Sequence, residues 1–242
     1  MSSARDSVVE LTRVQRKRDV ALGYRLFAKM RWGDVGDGHI SARDPEHEDC
    51  FWVLGGDVPF SRATVNDLVL VAPDGSLRVG EGGINRAGYY IHHPVHEARP
   101  DIVSAAHTHT GWGTPFSAEC RPILPITQES CIFFNDTAMF DDEEVQIQDC
   151  DGGRRIAAAL GDKGAIILRN HGILTAAASV AETVGRFVML ERVCEAHLKA
   201  RDAQPISEEA ALYAQKDLVK DGVGKQAFEW LVNNHLHGVS VD

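Results

Sequence analysis

The stretch Ile102-Val103-Ser104-Ala105-Ala106-His107-Thr108-His109-Thr110 decides how this chain is read. Its small and apolar residues from Ile102 to His107 predict a strand, and Arg99-Pro100 just before it ends whatever helix precedes, because proline disfavours helix in the residue before it. Residues i and i+2 of a strand project to one face, so His107 and His109 present two imidazoles to a single ion. A second apolar run, Ala165 to Leu168, leads into Asn170-His171-Gly172 and brings another histidine to the end of another strand. Three nitrogen donors with open positions left for water or substrate are the set expected of a catalytic rather than a structural metal. Taken alone, an HxH pair is more often two solvated or hydrogen-bonded imidazoles than a metal site.

Outward from this centre, helical spacing of Leu11, Val14, Val20, Leu22, Leu26, Phe27 and Met30 predicts a helix over about 10–31, stopped by the glycines of 33–38. Short β-prone runs at His39 to Ala42, Phe51 to Leu54 and Leu68 to Ala72 read as strands joined by tight turns such as Pro73-Asp74-Gly75. Further helices are expected over Ile84 to Ala98, Gly152 to Leu160 and about 179–234, the last as one long helix to Arg201 and two shorter ones. Thr114 to Pro125 reads as irregular. Interleaved strands and helices imply a layered α/β domain, and the hairpin-like early strands imply a mixed sheet.

The 242 residues are 44% hydrophobic and 25% charged, with no linker or repeat, so one domain over 1–242 is expected. A formal net charge of -10 disfavours nucleic acid, since phosphate binding needs a basic stripe, and the run from Arg13 to Arg18 falls on a helix as a solvated face. The polar stretch from Met1 to Asp6 and the absence of a long apolar run point away from export and from a membrane. Five cysteines without CxxC spacing suit a reducing cytoplasm better than a disulfide framework.

The motifs around the histidines resemble the class II aldolase and adducin family. They run from Asp37-Gly38-His39-Ile40-Ser41-Ala42-Arg43 and Asn66-Asp67-Leu68-Val69, through Arg99-Pro100-Asp101 and Ala106-His107-Thr108-His109-Thr110, to Leu168-Arg169-Asn170-His171-Gly172-Ile173-Leu174-Thr175. The resemblance implies a three-layer α/β/α sandwich around a mixed, largely antiparallel central sheet, assembled as a homotetramer with the site near a subunit interface. It implies one divalent metal ion per subunit on His107, His109 and His171, zinc in first place with Fe(II) or manganese as alternatives. It also implies a small-molecule substrate whose adjacent oxygens the metal polarises while a C–C bond breaks.

The family's catalytic glutamate falls on Gly88, and the asparagine that helps hold a sugar phosphate in the aldolases falls on His39. A non-phosphorylated hydroxy or oxo acid is therefore the expected substrate class, with His39 and Glu129 as the candidate catalytic residues and Gly38, Asn85 and His92 as candidate substrate contacts. His39 sits where relatives touch substrate and titrates in a range suited to proton transfer. Glu129 stands where aldolases bring in a tyrosine from the neighbouring subunit. Positions 85, 88, 92 and 96 share a helix face, so Asn85, His92 and His96 look towards the gap at Gly88. Three readings follow: a metal-dependent lyase of aldolase or decarboxylase type, a non-haem Fe(II) oxygenase on the same histidines, and a non-catalytic assembly module like the adducin heads.

Overall fold

The computed structural model describes residues 2–242, so Met1 of the polar N-terminal run lies outside the described residues. The helices are α1 (Ser2–Lys29), α2 (Arg86–Ala98), α3 (Gly113–Ser117), α4 (Gln128–Ile132), α5 (Cys150–Leu160), α6 (Val180–Lys199), α7 (Glu208–Val219) and α8 (Val223–His235). The strands are β1 (Gly38–Arg43), β2 (Phe51–Leu54), β3 (Leu68–Val71), β4 (Leu77–Val79), β5 (Ser104–Thr108), β6 (Thr137–Phe140), β7 (Ala165–Leu168) and β8 (Gly172–Ala177). All eight strands form one sheet in the order β4-β3-β2-β1-β5-β8-β7-β6. Every pairing is antiparallel except β6 with β7. This is the expected mixed, largely antiparallel sheet.

Alternation along the strands sorts side chains to two faces. Ile40, Ala42, Trp52, Leu70, Ala106 and Ile173 point to one side, where they join Val20, Phe27, Val184, Phe187 and Phe228 of α1, α6 and α8 in a single core. Their neighbours Ala105, Ile166, Leu168 and Leu174 point to the other side and pack with Ile91, Val95, Ile156 and Leu160 of α2 and α5. Phe51, Val53, Val69 and Val71 extend that second face beneath Tyr89. Helices on both faces make the three layers. Among the described residues no helix is long and apolar enough to cross a membrane.

The first helix begins at Ser2 rather than near Glu10. Its early turns carry few apolar residues in register, so periodicity alone does not reveal them. β4, β6 and β8 were not expected as strands: β4 and β6 are short, and Gly172 at the head of β8 reads as a breaker although it begins a strand here. The stretch after Thr110 is also less irregular than expected, because Pro115 sits in the first turn of α3, where its missing N–H costs nothing.

Two contacts lock the outer layers. Asp44, at the end of β1, is fully buried and accepts hydrogen bonds from Arg13 Nε and Nη2 (2.8 and 3.0 Å), Trp52 Nε1 and two backbone amides. Burial pushes its pKa up, but Arg13 and the N–H donors outweigh burial and hold the carboxyl well below the usual carboxylate range. Where α6 crosses α8, a Cβ on Gly185 would lie 1.8 Å from the Gly224 carbonyl oxygen, so the two backbones meet where no side chain fits.

Because the native carboxyl of Asp44 titrates lower than in the unfolded chain, its contribution is present above about pH 4 and is lost as the pH falls below that. Asp44→Asn is expected to flatten the acid limb of a stability-against-pH curve followed by circular dichroism. Gly185→Ala should lose about 1–3 kcal/mol in urea unfolding, because overpacking against a backbone carbonyl exceeds the gain of under about 1 kcal/mol in helix propensity.

Candidate metal centre

The antiparallel register of β1 on β5 sets His39 directly opposite His107, and both project to the α2 face with Ser41. His109 follows one residue beyond β5. Its backbone N–H, like the Thr108 hydroxyl, donates to the Asp37 carbonyl and so ties the loop to the start of β1. His171 lies in the tight turn that links β7 to β8, after Asn170 in the left-handed region (φ 55°), a conformation that asparagine adopts more readily than most residues. The strand register and this turn bring the three rings together. Centroids are 5.5 Å apart for His107 and His109, 4.8 Å for His107 and His171, and 5.1 Å for His109 and His171.

One ring nitrogen from each histidine lies within 4.8 Å of the others, as a single ion requires. Nδ1 of His107 donates to the Ile173 carbonyl at 2.8 Å, which leaves Nε2 as the free lone pair. Nδ1 of His109 stands 3.5 Å from Asp37 Oδ2, so a carboxylate backs this ring as well. Such partners fix ring orientation and tautomer at metal sites. Burial, with the neighbouring imidazoles of His171 and His39, holds His107 far below its ordinary pKa, and burial next to His109 lowers His171 to about 4. Neutral rings with free lone pairs are the form a divalent cation takes up, so the donor set fits.

The triad lines a cavity of about 430 Å³. Gly38, His39 and Asn85 line it too, with Ile91, Val145 and Ile147 as an apolar wall. Among the described residues that line this cavity there is no lysine or arginine. His39 stands where the resemblance leaves a gap: a Cβ on Gly88 would lie 2.9 Å from Cγ and Cδ2 of the His39 ring. The imidazole thus fills the space beside Gly88, the position to which the resemblance assigns the aldolase glutamate. Behind it, His39 Nδ1 meets His92 Nε2 at 2.7 Å, and burial beside His92 keeps the His39 ring neutral.

The sequence model of the class II aldolase and adducin N-terminal domain matches residues 18–198. The chain belongs to that family. A relative from Streptomyces roseochromogenus subsp. oscitans, 4-hydroxy-3-prenylphenylpyruvate oxygenase/4-hydroxy-3-prenylbenzoate synthase, is 36% identical over 86% of this chain and 77% of its own. Decarboxylase NovR of Streptomyces niveus is 36% identical over 90% of this chain and 80% of its own. Among solved structures, an aldolase II superfamily protein from Pseudomonas syringae superposes with a TM-score of 0.86 at 30% identity, covering 95% of each chain.

Of the residues singled out in the sequence, His39, Gly38 and Asn85 share the cavity with the metal triad. Asn85 also caps α2, its Oδ1 accepting from the Gly88 N–H at 3.2 Å. His92 and His96 lie on the expected face of α2 but behind His39 rather than on the cavity wall. Glu129, on α4, lies 3.4 Å from Arg192 and lines a separate groove with Lys199. Within one chain it does not share the cavity of the histidines.

Two carboxylates escaped the sequence reading. Asp37 flanks Gly38 in a glycine-rich turn, where an acid looks like ordinary loop material; its Oδ1 is buried and without a hydrogen-bond partner. Glu191 sits on α6, a helix rich in charge, yet it is only 4% exposed. It accepts from the Thr110 hydroxyl at 2.6 Å, the Trp112 N–H at 2.9 Å and the Gly113 N–H at 2.6 Å, and so clamps the turn that leaves His109. Burial raises its pKa against the pull of those donors. Glu191→Ala takes the acceptor from the Thr110 hydroxyl and the Trp112 N–H, while the Gly113 N–H keeps the Thr110 oxygen at 3.1 Å, and is expected to cost about 2–3 kcal/mol in urea unfolding, with weaker retention of added zinc, because the turn carrying His109 loses its anchor.

Proposed function

We propose that this chain is a divalent-metal-dependent lyase that cleaves or forms a C–C bond next to a carbonyl of a small, non-phosphorylated hydroxy or oxo acid. The observation that carries this reading is the convergence of His107, His109 and His171 on a cavity lined by no cationic side chain. Zinc is the proposed metal, with Fe(II) or manganese as alternatives. When bound, the ion supplies Lewis acidity to two adjacent substrate oxygens and eases the negative charge that grows on them as the C–C bond breaks.

The chain's own residues do the rest. Ile91, Val145 and Ile147 exclude water from one side of the cavity and take an apolar part of the substrate. His39 serves in place of the missing glutamate, meeting the substrate through Nε2, the ring nitrogen not engaged by His92. Gly38 and Asn85 contact substrate at the cavity mouth, while His92 acts through His39. With no lysine or arginine in the lining, a phosphate would be left without a protein cation, which supports an unphosphorylated substrate. The proposal includes assembly as a homotetramer with the cavity near an interface, where Glu129 serves a neighbouring chain's cavity.

A second reading, a non-haem Fe(II) oxygenase on the same three histidines, is supported by the Streptomyces roseochromogenus relative named an oxygenase. The two separate on metal and oxygen. Elemental analysis of protein purified without chelator is expected to find about one divalent ion per chain, and His109→Ala to lose at least ten-fold of it. Substrate turnover of candidate oxo acids in an oxygen electrode should consume no oxygen. Iron together with oxygen uptake matched to substrate loss overturns the lyase in favour of the oxygenase, and a wild-type protein that neither holds nor gains metal returns the chain to an assembly module.

A further inference from the structure

Behind the cavity runs one unbroken hydrogen-bond chain through buried groups. His39 Nδ1 meets His92 Nε2 at 2.7 Å, His92 Nδ1 meets Ser41 Oγ at 2.6 Å, and Ser41 Oγ meets His96 Nε2 at 2.8 Å. His39, Ser41, His92 and His96 are each at most 4% exposed. All three rings are buried and hydrogen-bond along this chain to neutral groups rather than to a carboxylate, so each is a neutral imidazole with a single N–H. With one proton on each ring, every contact has one donor and one acceptor, and the Ser41 hydroxyl proton an acceptor, only if all four groups point the same way, because His92 and His96 are the hydrogen-bond partners that Ser41 Oγ has.

Two alignments satisfy that rule. In one, His39 Nδ1–H donates to His92, His92 Nδ1–H to Ser41, and the Ser41 hydroxyl to His96 Nε2; the His96 proton then sits on Nδ1, and His39 offers a bare Nε2 lone pair to the cavity. In the other, His96 Nε2–H donates to Ser41, the Ser41 hydroxyl to His92 Nδ1, and His92 Nε2–H to His39 Nδ1; His39 then offers Nε2–H. The far end of the chain decides between them. His96 Nδ1 is buried with no hydrogen-bond partner. The Ile102 carbonyl lies near His96 and accepts from Arg43 Nε at 3.0 Å, but no hydrogen bond joins it to His96 Nδ1. A buried orphan N–H is rarer in proteins than an under-used acceptor, and the positive guanidinium of Arg43 nearby favours a lone pair over a further N–H.

We propose that His92, Ser41 and His96 are positioning residues that hold His39 in the tautomer carrying its proton on Nε2, so that His39 faces substrate as a neutral hydrogen-bond donor rather than as a base. A donor at that place meets an oxygen that gains charge during bond cleavage, next to the metal triad, and Gly88 leaves the room that lets the ring stand there. The catalytic consequence rests on the reading of His39 as the cavity's reactive group. The tautomer does not, because it is measured without turnover.

The test is nitrogen NMR of isotope-labelled histidine side chains in the full-length, metal-free protein, with the His39 signals assigned by their loss in His39→Gln. The expected result is a pyrrole-type Nε2 and a pyridine-type Nδ1 on His39. His96→Glu puts an acceptor-only group at the chain's end beside Arg43, and is expected to reverse all three bonds and move the His39 proton to Nδ1. A merely structural role for these residues moves neither signal. Wild-type His39 protonated on Nδ1, or a folded His96→Glu variant with His39 unchanged, overturns the proposal; if that variant does not fold, the wild-type tautomer decides alone. A confirmed tautomer in a protein without lyase activity refutes the proposed reaction and leaves the assignment standing.

Discussion

The antiparallel ladder between β1 and β5 is the constraint on which the rest of this molecule depends. It pairs His39 with His107 and Ser41 with Ala105 across the middle of an eight-stranded sheet. Because side chains alternate with a period of two, a slip of one residue would send His39 and Ser41 into the apolar core of α1 and α6 and bring Ile40 into the cavity. Register is held by what lies on both faces: Ile40 and Ala42 are packed in the larger core, and Tyr24 binds the backbone of Ile40 as both donor and acceptor. Packing on the far side of the sheet thus sets the chemistry on the near side.

The near side is costly to build. Four histidines and a serine are buried between β1, β5 and α2, where each unpaired polar atom carries a penalty of about 1–3 kcal/mol. Most of that penalty is offset by pairing the groups with one another and with backbone, as in His107 to Ile173 and His92 to Ser41. The exceptions are informative. Asp37 Oδ1 and His96 Nδ1 stay unpaired, one beside the metal triad and the other at the end of the His39 chain. Unsatisfied buried groups of this kind are tolerated where a site needs them.

Membership of the class II aldolase and adducin family and a TM-score of 0.86 to an aldolase II superfamily protein say that the scaffold is shared. They do not say that the reaction is, since function resides in the site. The resemblance assigns the aldolase glutamate to Gly88, and an imidazole from a sheet strand occupies the space beside that glycine. Gly88 and His39 are one steric unit. A side chain at 88 and the ring at 39 cannot both keep their places, so neither position can be interpreted without the other.

Local patterns in the chain determined a good deal. The HxH spacing, the strand before it, the histidine after Ala165 to Leu168, the α/β alternation and the long C-terminal helix were all legible, because period-two and period-3.6 patterns and chelating spacing are properties of neighbouring residues. The family motifs extended this to the layer order. Tertiary structure alone decided what lies between distant segments. Asp37 behind His109 and Glu191 of α6 under the turn at Thr110 look like ordinary loop and helix surface in the linear chain, and the hydrogen bonds that run from His39 through His92 and Ser41 to His96 join residues more than fifty positions apart. Glu129, whose motif position suggested the cavity of a neighbouring chain, lies beside Arg192 on a surface of its own chain apart from the histidines. Hydrogen bonds and close packing depend on register and layer contacts, and those exist only once the sheet has formed.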